Sequence, residues 1–328
     1  MVRRSGRFDV RSGPRRAIET RMSLYSSIAR LTKKGPNGFG YGSTAEEVTA
    51  GLSLEGKTIL VTGCNSGIGL ETMRVLALRG ARVIGAARTE AKTREASAGM
   101  KGTITPVACE LAEPASVRAC VAAVKALDVP LDAIVANAGI MALPARETKH
   151  GFELQFFTNH VGHFLLVTGL LDRLSPTGRV VMLSSEAHRR AYPEGIRFDD
   201  LGAEREYTAF GAYGQSKLAN LLFAKELSKR LEGKRTANAL HPGVIHTNLG
   251  RHMGAAASIA FGIAGPLFLK SIPEGAATQT FLAAHPSVAD VTGKYFSDCN
   301  EKKPRRDAED PELARRLWEK TEEIVAKL

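Results

Sequence analysis

The chain has 328 residues, a hydrophobic fraction of 44% and a formal net charge of +11, enough apolar material for one large core without staples. Its four cysteines, Cys64, Cys109, Cys120 and Cys299, show neither a CxxC nor metal-like spacing, which argues for buried thiols in a reducing compartment and against a disulfide framework. Residues 1–34 carry ten Lys or Arg against only Asp9 and Glu19, so this segment supplies +8 of the charge and leaves +3, which argues against a nucleic-acid-binding face on the fold.

Arg3, Arg4, Arg7, Arg11, Arg15, Arg16 and Arg21 crowd the start without an apolar stretch, so this is no secretory signal. Such composition suits an organellar transit peptide, a disordered tail, or an extension ahead of a start at Met22. Residues 1–43 are read as a basic, disordered extension and residues 44–328 as one domain; cytoplasmic placement is expected, with organellar targeting open. Gly35–Ser43 reads as a linker or extended arm. Thr44-Ala-Glu-Glu47 has the form of a capping box, predicting a short helix to about Ala50.

Then strands and helices alternate. Lys57–Thr62 reads as a strand, Gly67–Arg79 as a helix ending at Gly80, Arg82–Ala87 as a strand, Thr89–Ala98 as a helix and Thr103–Ala108 as a strand. Pro114–Leu127 opens with proline, as a helix start tolerates. Leu131–Ala136 reads as a fourth strand, Gly151–Leu174 as one long helix and Arg179–Ser184 as a fifth strand. Ala209–Leu231 is helical, Arg235–Leu240 a sixth strand, Pro273–Ala284 helical and Gly293–Phe296 a short strand. The alternation predicts an α/β domain with a single doubly wound parallel sheet and helices on both faces. Met253–Leu269 carries no charge over 17 residues, but Pro266 and three glycines weaken a membrane span. A substrate-covering helix or a buried helix at a subunit contact is expected there, with peripheral membrane contact as the alternative.

Thr62-Gly-Cys-Asn-Ser-Gly-Ile-Gly69 follows a strand and opens a helix, the context that turns a glycine pattern into a dinucleotide site. Gly63 permits the turn, Gly67 lets backbone approach a pyrophosphate, and Gly69 lets the helix pack closely. Asn65, Ser66 and Ile68 complete the loop. At the end of the second strand no acid stands ready for a ribose 2′-hydroxyl; Arg88 stands there instead and suits a 2′-phosphate. NADP(H) is therefore preferred, with NAD(H) as the other option. Asn137-Ala138-Gly139 ends the fourth strand near the switch point.

Tyr213 and Lys217 lie one helical turn apart. An ammonium beside a phenol favours the phenolate and lowers its pKa, which would let Tyr213 exchange a proton with substrate. Ser184 and Ser185 end the fifth strand at the ligand-binding edge, and Asn159 lies in the long helix, where it can link Lys217 to water. The histidines match no zinc spacing, so no metal is expected.

Taken together, these motifs resemble the short-chain dehydrogenase/reductase family over about residues 44–300. TGCNSGIG, Asn137–Gly139, Asn159, Ser185, YGQSK (213–217) and HPGVIHT (241–247) stand in family order. The resemblance implies a Rossmann fold of about seven strands and a tetrad of Asn159, Ser185, Tyr213 and Lys217, with Lys217 also on the nicotinamide ribose. It implies that Pro242, Gly243, Val244 and Thr247 contact the nicotinamide carboxamide. Glu110, followed by Leu111, stands where the family usually has Asp near the adenine. GFGYGSTAEEVTAGL (38–52), SSEAH (184–188) and TGKYFSDC (292–299) are similar to the retinol dehydrogenase and WW-domain oxidoreductase branch. That branch implies a lipid-, retinoid- or steroid-like carbonyl or alcohol as substrate, which the apolar 253–269 stretch suits. A homo-oligomer follows by family analogy. The other function considered is an NADPH-responsive interaction or scaffold protein on the same fold.

Overall fold

The computed structural model describes residues 34–245 and 270–328. The basic start, Thr247 and the apolar stretch 253–269 lie outside the described residues.

Among these residues ten strands form: β1 (Thr58–Thr62), β2 (Arg82–Ala87), β3 (Thr103–Ala108), β4 (Leu131–Ala136), β5 (Thr148–Lys149), β6 (Phe152–Glu153), β7 (Leu174–Leu183), β8 (Thr236–His241), β9 (Tyr295–Ser297) and β10 (Asn300–Glu301). The main helices are α1 (Gly67–Leu78), α2 (Glu90–Ser97), α3 (Pro114–Ala126), α4 (Gly162–Leu170), α5 (Ala209–Arg230), α6 (Ile272–Ala284) and α7 (Pro311–Ala326). Eight strands form one sheet in the order β10-β9-β8-β7-β4-β1-β2-β3, and β5 and β6 pair as a separate hairpin. Every pairing from β9 to β3 is parallel; only β10 runs antiparallel, so the expected seven-stranded sheet gains one two-residue edge strand.

The central strands β1, β2, β4, β7 and β8 are mostly buried on both faces, and their side chains divide by the period of two. Leu60, Ile84, Ile134, Val180 and Met182 join the core beneath α3, α4, α5 and α7. Ile59, Val61, Val83, Val135 and Val181 join the core beneath α1 and α6. The chain moves outward from β1 to β3 and then resumes at β4 on β1's other side. The β1/β4 junction is thus the switch point, and both strands deliver loops there at their carboxyl ends.

Three expectations change. The long helix expected over Gly151–Leu174 begins instead with β6 and a turn at Leu154–Phe156, widens into a π-helical turn at Phe157–Val161, and becomes regular only in α4. A π turn inserts one residue into the helical ladder, here beside Asn159. Strand β7 starts at Leu174 rather than Arg179, because Leu174 already pairs with Leu131. Helix α7 has no counterpart among the predicted elements; its apolar stripe of Ala314, Leu317, Trp318, Thr321 and Ile324 becomes meaningful once it packs on α5. The capping box does form: Thr44 N–H donates to Glu47 Oε2 at 2.8 Å and Glu47 N–H to Thr44 Oγ1 at 3.2 Å, opening a 3₁₀ turn at Glu47–Thr49. Residues 35–43 lie against the domain through Phe39, whose ring meets Phe281 edge-on at 5.6 Å. Among the described residues no helix is long and apolar enough to cross a membrane.

Candidate active site

The glycine loop joins β1 to α1. Gly63 sits at φ +65°, and a Cβ there would come within 2.9 Å of Ala138 Cα. A Cβ on Gly69 would run into the Gly63 carbonyl and the Asn137 amide. The loops after β1 and β4 therefore meet backbone to backbone, an approach that side chains would prevent. Asn137 Nδ2 donates to Thr62 O at 2.8 Å, while Asn137 Oδ1 is buried without a partner among the described residues. Ser66, extended and exposed, precedes α1, and no side chain caps the first turn. Free N–H groups and the helix dipole there favour an anion. The cradle made by the missing Cβ atoms, the uncapped helix start and the orphaned Asn137 oxygen fit a dinucleotide.

Arg88 follows β2, exposed and without a hydrogen bond or ion pair among the described residues. Its guanidinium is thus available to a phosphate. Glu110 turns back toward its own loop, with Ala112 N–H donating to its Oε1 at 3.5 Å. Leu111 is 5% exposed and its side chain belongs to the core, where its carbonyl closes on Gly162. Past β8, Gly243 takes φ +98°, Pro242 is partly buried and Val244 is 49% exposed.

A buried polar chain runs from the loop after β1 to helix α5. Asn137 N–H and Ala138 N–H donate to Thr62 Oγ1 at 2.9 and 3.0 Å. Thr62 Oγ1 lies 2.9 Å from His163 Nε2, and His163 Nδ1 lies 2.9 Å from the Asn159 carbonyl. A carbonyl only accepts, so His163 carries its proton on Nδ1 and takes the Thr62 hydroxyl proton on Nε2. Burial pushes its pKa down to about 4, which keeps the ring neutral. The Asn159 side chain clamps Ile140 from both sides, accepting its N–H and donating to its carbonyl, each at 2.9 Å, and Nδ2 also donates to Ser216 Oγ at 3.0 Å. Asn159 thus holds the loop after β4 against α5.

Helix α5 brings Tyr213 and Lys217 to the end of β7. A Cβ on Gly214 would stand 2.6 Å from both Ala187 O and Ala191 N, so glycine lets the turn after Ser185 rest on the helix. Ser184 Oγ donates to the Lys217 carbonyl at 2.7 Å and is structural. Ser185 Oγ accepts Ala187 N–H at 3.2 Å and lies near enough to the Tyr213 phenol to pull its pKa downward. His188, fully buried, fixes this turn: Nδ1 lies 2.6 Å from Ser185 O, and Nε2 accepts Arg305 N–H at 3.2 Å. His241 Nδ1 accepts from Glu186 N–H at 3.2 Å and Gly243 N–H at 3.4 Å, tying the serine turn to the loop after β8.

Lys217 is 2% exposed, and its Nζ donates to Leu183 O at 3.1 Å. Burial pushes its pKa down to about 7. Burial pushes Tyr213 up to about 12, against the pull of the Ser185 hydrogen bond. The expected lowering of the phenol by an ammonium is thus not the dominant effect. Lys217 loses charge near neutrality, and its Nζ is 5.7 Å from the ring centroid. Desolvation wins because both groups sit in the same dry pocket.

Sequence reading missed Thr62 and Ser216 as tie points and His163 as the link from Thr62 to Asn159. The only signal was spacing: His163 lies four residues after Asn159, one turn along the helix. Among the described residues no group of three or more His, Cys, Asp or Glu is placed to hold a metal ion.

Comparison with known proteins gives consistent results. The family model for short chain dehydrogenase matches residues 57–198. Short-chain dehydrogenase TIC 32 A, chloroplastic, of Brassica napus is 41% identical over 94% of this chain and 100% of its own length. Human retinol dehydrogenase 13 is 43% identical over 83% of this chain and 86% of its own. The crystal structure of an uncharacterised protein from Mycobacterium paratuberculosis superposes with a TM-score of 0.69 at 33% identity, covering 85% of this chain and 97% of that one.

Proposed function

The chain belongs to the short-chain dehydrogenase family, an oxidoreductase acting on CH–OH groups, and we propose that it uses NADP(H) on an apolar carbonyl or alcohol with Tyr213 as the general acid and base. The bound nicotinamide supplies or takes up the hydride. The observation that carries the reading is the meeting of a buried Tyr213 and Lys217 with the Ser185 hydroxyl beside the glycine-lined cradle. In reduction Tyr213, held protonated by burial, gives its proton to the substrate oxygen, while Ser185 donates a hydrogen bond to the same oxygen. In oxidation the phenolate takes the proton back. Lys217, poised near neutrality, replenishes that proton and would hold the cofactor ribose from beside Gly139, where a Cβ would stand 3.4 Å from its Nζ. The apolar substrate class is supported by similarity to human retinol dehydrogenase 13 and by the composition of residues 253–269.

The test is a panel of carbonyls and alcohols with NADPH/NADP⁺ and NADH/NAD⁺, followed at the nicotinamide absorbance. Tyr213→Phe should lower kcat by at least about a hundredfold, the usual scale of general acid–base catalysis, and leave NADPH affinity nearly unchanged. Retained turnover would refute the role of Tyr213. Arg88→Ala should raise Kd for NADPH by about tenfold, the weight of one charge-assisted contact, and leave NADH unaffected. An equal change for both cofactors would end the 2′-phosphate assignment.

A further inference from the structure

The arm at residues 35–43 lies outside the 57–198 match and takes no part in the reading above. Its contacts converge on one buried cation. Lys270 is 2% exposed; its Nζ pairs with Asp298 Oδ1 at 2.5 Å and stands 4.6 Å from the centre of the Tyr41 ring. A buried ammonium is costly unless its partners fix it in place. Here one partner is a carboxylate and the other an aromatic face contributed by the arm.

The rest of Lys270 forms the wall behind the loop after β8. Its N–H donates to Val244 O at 2.8 Å, and it pairs in parallel with Ile245. A Cβ on Gly243, at φ +98°, would stand 2.6 Å from Lys270 Cδ, so the loop lies directly on the lysine's aliphatic stem. Asp298 in turn sits in a strained turn, with φ +54° at Asp298 and +62° at Cys299. The arm holds that turn. Asn37 Nδ2 donates to Cys299 O at 2.8 Å and Asn37 N–H to Asn300 Oδ1 at 3.2 Å. Asn300 Nδ2 donates to Phe39 O at 3.0 Å and to Asp298 O at 2.7 Å. Phe39, against Phe281 and His285, anchors the arm to α6.

We propose that the arm is a latch on the cofactor site: Tyr41 and Asp298 fix Lys270, and Lys270 fixes the Pro242–Val244 backbone that receives the nicotinamide. Lys270 is then a positioning residue, acting through the loop it supports. The proposal rests on the reading that Pro242–Val244 contacts the nicotinamide.

The experiment is calorimetric titration of the full chain with NADPH and, separately, with adenosine 2′,5′-bisphosphate, which lacks the nicotinamide half. It is run on the wild type and on Tyr41→Ala, Tyr41→Phe, Lys270→Met and Asp298→Asn, with thermal melts beside it. Tyr41→Ala and Lys270→Met should weaken NADPH by about tenfold, the equivalent of one desolvated cation–π contact, and leave the bisphosphate unchanged. Tyr41→Phe keeps the ring and should bind as the wild type does. Asp298→Asn is half of a partly exposed pair and tolerates its turn; it should weaken NADPH selectively even if a core variant fails to fold. Wild-type NADPH affinity in folded Tyr41→Ala, Lys270→Met or Asp298→Asn overturns the latch, and so does equal weakening of NADPH and bisphosphate. If the wild type binds NADPH no more tightly than the bisphosphate, the nicotinamide reading of Pro242–Val244 falls and the latch falls with it.

Discussion

A buried lysine beside a buried tyrosine makes stability depend on pH in a specific way. Lys217 has a folded pKa of about 7 against the ordinary 10.5, so between these values the folded chain binds fewer protons than the unfolded one. Stability from this group is full above 10.5 and is lost as pH falls toward 7. Tyr213, raised to about 12 from 10, works in the opposite sense: its stabilising share is present below 10 and lost on the way to 12. The cofactor-free protein should therefore gain denaturant resistance from pH 7 toward pH 10, and Lys217→Met should flatten that rise. Equal slopes in both proteins would mean that the buried ammonium is not its source. The pairing of the two residues was legible in their spacing, but which effect controls their protonation was not. Spacing fixes that the two side chains share a helix face; burial is a property of everything packed over that face.

The elements were legible where local pattern and tertiary role agree. β2, β3 and β4 match their predicted spans, and β1 starts one residue later, because short apolar runs flanked by turn residues have few other uses. The segment around Asn159 was misread because its residues suit a helix throughout, and only the pull of Ile140, Thr62 and Ser216 on one turn favours the π register. Helix α7 escaped because a polar-faced amphipathic helix looks like a solvated tail until its partner is known. Trp318 stacks on Phe223 at 5.4 Å with rings 9° apart and lies under Arg230 at 4.4 Å. Trp318→Ala should cost about 3–5 kcal/mol of stability, as large-to-small core changes do, and Trp318→Phe distinctly less. Urea midpoints measure both, and a loss under about 1 kcal/mol for the alanine would show that α7 is only peripheral.

For the whole molecule, neutral histidines in the interior set an acid limit. His160 and His163 are fully buried, and burial pushes their pKa values down to about 3 and about 4. As neutral rings, His163 is bonded at both nitrogens by Thr62 and Asn159, and His160 is held at Nε2 by Thr321 Oγ1 at 3.0 Å, its buried Nδ1 without a partner among the described residues. Their stabilising share is intact above 6.5 and is lost as pH falls toward the folded values. At pH 5 each should cost about 2 kcal/mol, from 1.5 units of unfolded-state protonation. Denaturant midpoints at pH 7 and pH 5 measure the loss; a flat response would mean that the rings open to water before they protonate.

By itself the sequence determined the family, the parallel sheet, the glycine cradle and the chain order of the motifs. Each of these follows from local steric rules: strand runs, a turn that only glycine permits at Gly63, and a helix start at Ser66. The tertiary structure decided how the polar groups of the site pair. It bound Ser184 to the Lys217 carbonyl, paired Asn159 with Ile140, and joined Thr62 to Asn159 through His163. It also brought Tyr41, Lys270 and Asp298 together across 257 residues of chain. Such choices depend on which polar groups lose water together, and that is settled only when distant segments pack.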